Sequence, residues 1–267
     1  ANNHQFTQGL LQNESLLDRI VWIPSTTANQ VPNSKQITLG FYKKFPKIGL
    51  NTSIEGFYKE LTHLTEFDIN EFYAISKYNN WEDNLINNIR GRAYGVEFNF
   101  EYAYRDLSVR FNHTLAKSER KLPDGSDWYP FKFDLRNSTN LNLHYEFGRG
   151  WNLAVHFLYN DGIRMTIPTI ISATNPLIDV TGFHIEKRNN FQLPANHRLD
   201  LSISKTYITS RKRERVFGLS IYNLYNRQNA SFASFKGVYD KDTLVGFTLK
   251  KVAILPFLPA FNYTYKF

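Results

Sequence analysis

Residues 94–102 read Tyr94-Gly95-Val96-Glu97-Phe98-Asn99-Phe100-Glu101-Tyr102, so that an apolar side chain recurs at every second position. Successive side chains of a β-strand point to opposite faces, and this period therefore indicates a strand with one apolar and one polar face. After the short link Arg105-Asp106 the alternation resumes over residues 107–112. The two segments predict an antiparallel hairpin whose apolar faces lie on the same side of the sheet.

The same pattern recurs along the chain and predicts four further hairpins. They join residues 37–41 to 50–54, 141–147 to 151–159, 199–203 to 217–221, and 243–255 to 261–267, the last pair through a turn at 256–259. Ten strands result, and the irregular alternation in 243–255 suggests a β-bulge there. Four long polar loops are expected at roughly 61–89, 118–131, 161–196 and 226–242. Short turns at one end and long loops at the other are typical of transmembrane β-barrels.

The composition agrees with a β-sheet that has one apolar and one polar face. Aromatic residues make up 16% of the chain, yet the mean hydropathy is −0.43. No stretch approaches the roughly 18 consecutive apolar residues of a transmembrane helix. The polar positions of the strands include Glu97, Glu101, Arg110, His144 and Asp200. Burying so many ionisable groups in a dry core would be prohibitive, so these positions predict a lumen that holds water or a polar plug.

Charge and motifs narrow the classes of function. The net charge is +8, but the basic residues are scattered apart from a run at 211–215, where a turn is needed, so no nucleic-acid partner is expected. The absence of Cys excludes a disulfide framework and thiolate metal sites. No HExxH, GxSxG or Gly-rich phosphate-loop motif occurs, and no enzyme activity, metal or cofactor is predicted. An outer-membrane protease built from His63, His113 and Asp127, and a passive porin, remain as alternatives.

The carboxyl terminus alternates aromatic and polar residues down to the last position. Its aromatic members are Phe261, Tyr263, Tyr265 and Phe267. This ending resembles the terminal β-signal that the outer-membrane assembly machinery recognises. The resemblance makes that machinery an expected partner and these four side chains its expected contacts.

Three further segments resemble TonB-dependent outer-membrane receptors. Residues 193–202 read LPANHRLDLS, residues 221–229 read IYNLYNRQN, and residues 255–261 read LPFLPAF, which is similar to the ending of Bacteroidetes-type members. The stretch 21–25, VWIPS, also fits, so that the resemblance extends over essentially the whole chain. It implies an all-β fold, a transmembrane antiparallel up-and-down β-barrel in the cell outer membrane. Residues 1–267 would supply about ten strands of a barrel of about 22.

The resemblance also implies what such a protein does. Neither a plug nor a TonB box is recognised, so residues 1–267 are expected to be the carboxyl-terminal portion of the barrel. The implied activity is import of a scarce ligand (siderophore-iron, haem, cobalamin or an oligosaccharide) through gating of the plug by the TonB–ExbB–ExbD complex. Lipid and lipopolysaccharide are expected neighbours, and a surface lipoprotein is a further candidate partner. The candidate ligand contacts are loop residues Trp81, Trp128, Tyr129 and Arg164, for which loop packing or interfacial anchoring is the competing interpretation.

Overall fold

Antiparallel β-strands make up nearly the whole of the computed structural model. The structure describes the chain apart from residues 1, 5–6, 13–18, 27–28, 69–84, 168, 173–180, 185–186, 210–212, 231, 241–242 and 267. The strands are β1 (Asn2–His4), β2 (Thr7–Gln12), β3 (Arg19–Pro24), β4 (Asn33–Phe45), β5 (Leu50–Phe67), β6 (Leu85–Tyr104), β7 (Leu107–Lys121), β8 (Tyr129–Pro130), β9 (Asn137–Glu146), β10 (Trp151–Asn160), β11 (Arg164–Met165), β12 (Thr169–Ser172), β13 (Thr181–His184), β14 (Phe191–Gln192), β15 (Asn196–Ile208), β16 (Glu214–Tyr222), β17 (Phe232–Asp240), β18 (Thr243–Val252) and β19 (Leu258–Lys266). A short 3-10 turn, Pro46–Ile48, follows β4. Within the described parts of the chain, no helix is long and apolar enough to cross a membrane.

The long strands form one sheet in which each strand pairs antiparallel with the next long strand of the chain. The order is β1-β4-β5-β6-β7-β9-β10-β15-β16-β19, and β8 pairs with the end of β7. Four short connections, residues 46–49, 105–106, 147–150 and 209–213, lie along one side, which we call the turn end. The longer connections, 68–84, 122–136, 161–195 and 223–257, begin and end at the opposite ends of the strands, which we call the loop end. The predicted separation of short turns from long loops is confirmed.

The turn at residues 147–150 shows how the sequence makes these links tight. Gly148, Arg149 and Gly150 have φ angles of 82°, 52° and 78°. Glycine adopts this left-handed region without the steric cost that a Cβ atom brings. At Gly150 a Cβ atom would also lie only 2.3 Å from the carbonyl oxygen of Thr206 on β15. The turn therefore requires glycine at this position.

One face of the sheet, which we call the outer face, carries the apolar residues of the alternating pattern. In its middle, Val155 lies opposite Leu143 on one neighbouring strand and Leu201 on the other. Among the described hydrophobic residues the buried ones are Ile23, Ile89, Tyr129, Leu193 and Ala230. The apolar residues of the wall are therefore not gathered into a central core, and Phe98 remains 37% exposed.

The opposite, inner face carries a ladder of polar side chains. Asn99 donates to Ser53 at 3.1 Å, and Arg110 pairs with Glu101 at 2.9 Å. Further along the sheet, His156 lies 3.2 Å from Asp200. The polar side chains of this face therefore have hydrogen-bond partners on neighbouring strands and are not buried in an apolar core, as the alternation predicts.

The end of the chain differs from the sequence prediction. The strand expected at 243–255 does not enter the wall, because β16 pairs directly with β19 through contacts such as Leu219 with Phe261. Residues 232–240 and 243–252 instead pair only with each other as the hairpin β17–β18, and residues 256–259 are not a turn but lead into β19. The wall therefore has nine long strands and the short β1, rather than ten long strands. The expected irregularity is present, because the register shifts where Val238 pairs with Gly246 and Tyr239 with Leu244.

The sheet is open in the part of the chain that the structure describes. There, β19 pairs with β16 on one side and has no partner on the other. At the opposite edge, β1 covers only residues 33–35 of β4. An open edge leaves a row of backbone donors and acceptors unpaired, and within a bilayer such an edge would have to be closed by further strands.

Candidate functional site

A cleft of about 780 Å³ opens at the loop end of the sheet. It is bounded by the loop after β7, by the connection 161–195 and by the ends of β5 and β6. Its polar and aromatic lining includes Asp68, Asp124, Trp128, Tyr129, Arg164 and Arg188. Sites for small ligands are commonly concave and combine apolar surface with a few placed polar groups, which makes this cleft the candidate site.

Three of the four predicted loop residues line this one cleft. They are Trp128, Tyr129 and Arg164. The fourth, Trp81, lies outside the described residues. Trp128 is half-buried, and the guanidinium of Arg92 lies 4.2 Å from the centre of its ring. The sequence reasoning, which gave these residues only as members of separate loops, did not predict that they would meet.

Glu66, at the end of β5, holds the floor of the cleft together. Its carboxylate accepts a hydrogen bond from the Tyr129 hydroxyl at 2.8 Å and lies 3.4 Å from the Arg188 guanidinium. Arg120 approaches the same carboxylate at 4.0 Å and stacks 4.3 Å from the ring centre of Phe131. The side chains of Arg120 and Arg188 are only 13% and 10% exposed. Glu66 therefore faces two largely buried cations, one from β7 and one from the connection 161–195, and Asp68 lies 3.9 Å from Arg188 as a second carboxylate.

A second set of contacts ties the loop after β7 to the connection 161–195. The fully buried Asp134 accepts a hydrogen bond from the backbone N–H of Ser118 at 2.7 Å and lies 3.5 Å from Arg164. Asn189, in the left-handed region at φ 51°, donates to the carbonyl of Pro130 at 2.9 Å. Asn tolerates this region better than most residues. Asp134 therefore holds Arg164 beside the loop after β7, and whether Arg164 contacts a ligand stays a prediction.

Neither Glu66 nor Arg188 was selected from the sequence. Both lie in segments that the sequence predicts as long polar loops, 61–89 and 161–196, and a lone Glu or Arg there carries no signal of burial. Their pairing spans 122 residues of sequence. Only the three-dimensional arrangement brings them together.

Burial beside a carboxylate changes the acid–base behaviour of Tyr129. Burial, followed by the negative charge of Glu66 and the hydrogen bond to it, raises the pKa of the Tyr129 hydroxyl well above its usual value of 10. The folded loop thus holds the proton of Tyr129 at pH values where an unfolded tyrosine would lose it.

The docking of this loop is expected to weaken as the pH rises above about 10. Above that value the undocked loop loses the Tyr129 proton while the docked loop keeps it, so alkali favours the undocked state. Protease cleavage within residues 122–136, measured between pH 8.5 and 11, should accelerate with pH in the wild type. The Tyr129→Phe variant removes the hydroxyl and serves as the control, so an identical acceleration in that variant would contradict the assignment.

The residues considered for a protease site have separate surroundings. His113 lies on the outer face of β7, where its ring bonds to Thr139 at 2.8 Å. His63 lines a different groove, beside Glu60 and Thr62, and Asp127 lines the loop-end cleft. In the described ranges no group of three His, Cys, Asp or Glu residues is arranged to hold a metal ion.

The aromatic residues of the carboxyl terminus lie on the outer face of β19. Phe261 and Tyr263 are 70% and 51% exposed, and Tyr265 lies beside Arg215. Phe267 is outside the described residues. The alternation predicted for this segment is therefore present in the strand, while its recognition by an assembly machinery stays a prediction.

The structure is similar to solved outer-membrane receptors and transporters. Among these is the pyoverdine outer-membrane receptor FpvA of Pseudomonas aeruginosa, bound to pyoverdine, at a TM-score of 0.57 and 12% identity over 91% of this chain and 31% of that one. Another is BauA, the ferric preacinetobactin receptor of Acinetobacter baumannii, at 0.54 and 14% identity over 99% and 33%. A third is the outer-membrane transporter YddB of Escherichia coli, at 0.52 and 12% identity over 91% and 34%.

These comparisons confirm the fold that the family resemblance implies, an antiparallel transmembrane barrel wall. The chain spans about a third of the length of these three structures. No protein-family model matches the sequence, and no curated protein matches it. Two of these three proteins are receptors and the third is a transporter.

Proposed function

We propose that this chain is the carboxyl-terminal portion of the barrel of a TonB-dependent receptor in the outer membrane. The receptor would import a scarce ligand, such as siderophore-iron, haem, cobalamin or an oligosaccharide, through gating of a plug by the TonB–ExbB–ExbD complex. The segments around residues 193–202 and 221–229, together with the barrel fold, support this assignment.

The observation that carries the proposal is the difference between the two faces of one sheet. The outer face exposes large apolar side chains such as Leu39, Phe41 and Phe98, at 84%, 65% and 37%. In water such a surface would drive aggregation, whereas in a bilayer it meets hydrocarbon. The hydrogen-bonded inner face suits a lumen that holds water and a plug.

The open edges of the sheet support the assignment of residues 1–267 to part of a larger barrel. The strand pairs leave the far side of β19 and most of β4 without partners among the described residues. Because unpaired backbone groups are costly in hydrocarbon, further strands would complete the wall. The plug and its TonB box would belong to the same full-length receptor.

The loop-end cleft is where this portion would meet the ligand. Long loops of outer-membrane barrels lie on the extracellular side, and the cleft is formed from two of them. The ring of Trp128 offers an apolar contact surface, while Lys187 and Asp124 add charged groups of both signs to the lining. Such a mixture can bind a polar ligand that has flat or apolar parts. Trp81 and Arg164 would complete the set of contacts, and a surface lipoprotein would cover it from outside.

The test is energy-dependent uptake by cells that carry the full-length receptor as their only route. Cells lacking other receptors would be given, one at a time, a ferric siderophore, haemin, cyanocobalamin and maltoheptaose, each radiolabelled. We expect one of these to accumulate in cells with an intact TonB system and to fall to background when that system is deleted. A Trp128→Ala variant, made at normal levels in the membrane, should lower the apparent affinity for that ligand about tenfold, as the loss of a buried aromatic contact does.

Two other outcomes would contradict the proposal. Rapid swelling of liposomes that contain the purified receptor, with small sugars outside and no energy source, would indicate a passive porin. Cleavage of peptides by the purified protein would indicate an outer-membrane protease.

A further inference from the structure

Charged residues on the outer face are arranged differently at the two ends of the sheet. At the loop end three cations have carboxylate partners on the same face. Arg90 pairs with Glu60 at 2.8 Å, and Glu119 pairs with Arg92 at 2.7 Å and with Lys117 at 2.6 Å. These three cations share two carboxylates, so each of them has an acidic partner on its own face.

At the turn end the outer-face cations have aromatic neighbours instead. Lys205 lies 5.2 Å from the ring centres of both Trp151 and Tyr207, and Arg215 lies 5.6 Å from that of Tyr265. We call these five residues the turn-end cluster. In the described ranges neither cation has a carboxylate within ion-pair distance. A similar pair, Lys43 beside Phe45, lies on the outer face of β4.

The register places the two cations of the cluster close together. Lys205 lies opposite Phe217, and Tyr207 lies opposite Arg215, so that Lys205 and Arg215 are diagonal neighbours on the same face. Diagonal neighbours in an antiparallel pair are about 7–8 Å apart, a spacing that one phosphate group can bridge. The Lys205 ammonium also donates to the carbonyl oxygen of Arg149 in the adjacent turn, which holds it at this end of the wall.

The carboxylates on the strands nearest to this cluster lie on the inner face. Glu214 pairs there with Lys266 at 3.1 Å, and Glu146 lies opposite Asn152. The sheet therefore separates the acidic groups, which face the lumen, from Lys205 and Arg215, which face outwards. Among the residues that the structure describes, the two cations of the outer cluster have aromatic rings and no carboxylate beside them.

We propose that the turn-end cluster binds the phosphate of an anionic phospholipid headgroup in the periplasmic leaflet of the outer membrane. Tyrosine and tryptophan rings sit at the level of headgroups, where one side of the ring is apolar and the other is polar. Lysine and arginine at that level pair with phosphate oxygens through charge-assisted hydrogen bonds. The inference rests on the barrel placement proposed above, in which the turn end faces the periplasm, and it adds a lipid site outside the lumen.

The experiment compares lipids bound to the full-length receptor in bilayer nanodiscs. The discs would contain phosphatidylcholine and phosphatidylglycerol in a 4:1 ratio, and spin-labelled lipids would report the relative association constant of each. We expect the wild type to prefer phosphatidylglycerol. Each cation is expected to contribute a factor of about five to that preference. The double variant Lys205→Gln/Arg215→Gln should lose both factors.

A matched control is Lys266→Gln, which removes a cation at the same end of the sheet but on the inner face. Its preference should stay within about twofold of the wild type, because its partner is Glu214 rather than lipid. Heat-modified gel mobility would verify that each variant is folded, so that loss of the barrel is not mistaken for loss of the site.

Three results would overturn the inference: no lipid preference in the wild type, no change in the folded double variant, or an equal loss in Lys266→Gln. Displacement of the lipid by millimolar inorganic phosphate would assign the site to free anions instead. The readout is independent of ligand import. A receptor that fails every uptake test can still show the lipid preference, so the two proposals fail separately.

Discussion

Replacing Leu201 with arginine is expected to lower the free energy of unfolding in lipid vesicles by about 2–4 kcal/mol. Leu201 lies on the outer face in the middle of β15, between Val155 on one side and Ile221 on the other. If this face meets hydrocarbon, the substitution places a charge near the centre of the bilayer, where the cost is greatest. Urea unfolding of the full-length receptor, followed by tryptophan fluorescence, would measure the change.

The neighbouring position provides the control. Ser202 lies on the inner face, where its hydroxyl is 2.9 Å from that of Ser220. Ser202→Arg loses that hydrogen bond but places the new charge in a polar lumen, at a cost of about 1 kcal/mol. Equal losses at the two positions would mean that the faces have similar surroundings, and the membrane assignment would then be wrong.

The second large effect is expected at Glu66. Glu66→Gln removes the charge that faces Arg120 and Arg188, both of which are largely buried. Breaking a buried ion pair costs about 3–5 kcal/mol, and partial exposure of Glu66 reduces this to about 2 kcal/mol. A change of that size should raise the population of the undocked loop about 30-fold. Limited proteolysis within residues 161–195 would report it as faster cleavage.

Glu60→Gln is the matched comparison for Glu66→Gln. Glu60 pairs with Arg90 on the surface, where their side chains are 40% and 59% exposed. Exposed pairs contribute about 0–1 kcal/mol, so cleavage of the loop should hardly change. If both variants accelerate cleavage equally, Glu66 is not the residue that holds the cleft together.

Most strands of the wall could be predicted because the alternation within each strand identifies its apolar and polar faces. Apolar and polar residues alternate within residues 94–102 and within residues 151–159, so each segment can be recognised as a strand without its neighbours. Both segments form strands of the wall. Their turns also carry local signals, as Gly148 and Gly150 do. The fold class therefore follows from short-range pattern.

What could not be predicted depends on partners distant in sequence. Residues 243–252 alternate less regularly, and nothing local distinguishes a strand of the wall from one that pairs with 232–240. Likewise, Glu66 and Arg188 meet only because two loops fold over the end of β5. Trp128 and Arg164 were selected for their side-chain type, whereas their joint position in one cleft is a property of the folded loops.

The hairpin β17–β18 has a consequence for how the protein can vary. Its strands hydrogen-bond to each other and form a sheet separate from the wall. Insertions, deletions or exchanges at its tip therefore leave the pairing of β16 with β19 intact. We therefore expect homologues to vary more in the length and sequence of this hairpin than in the strands of the wall.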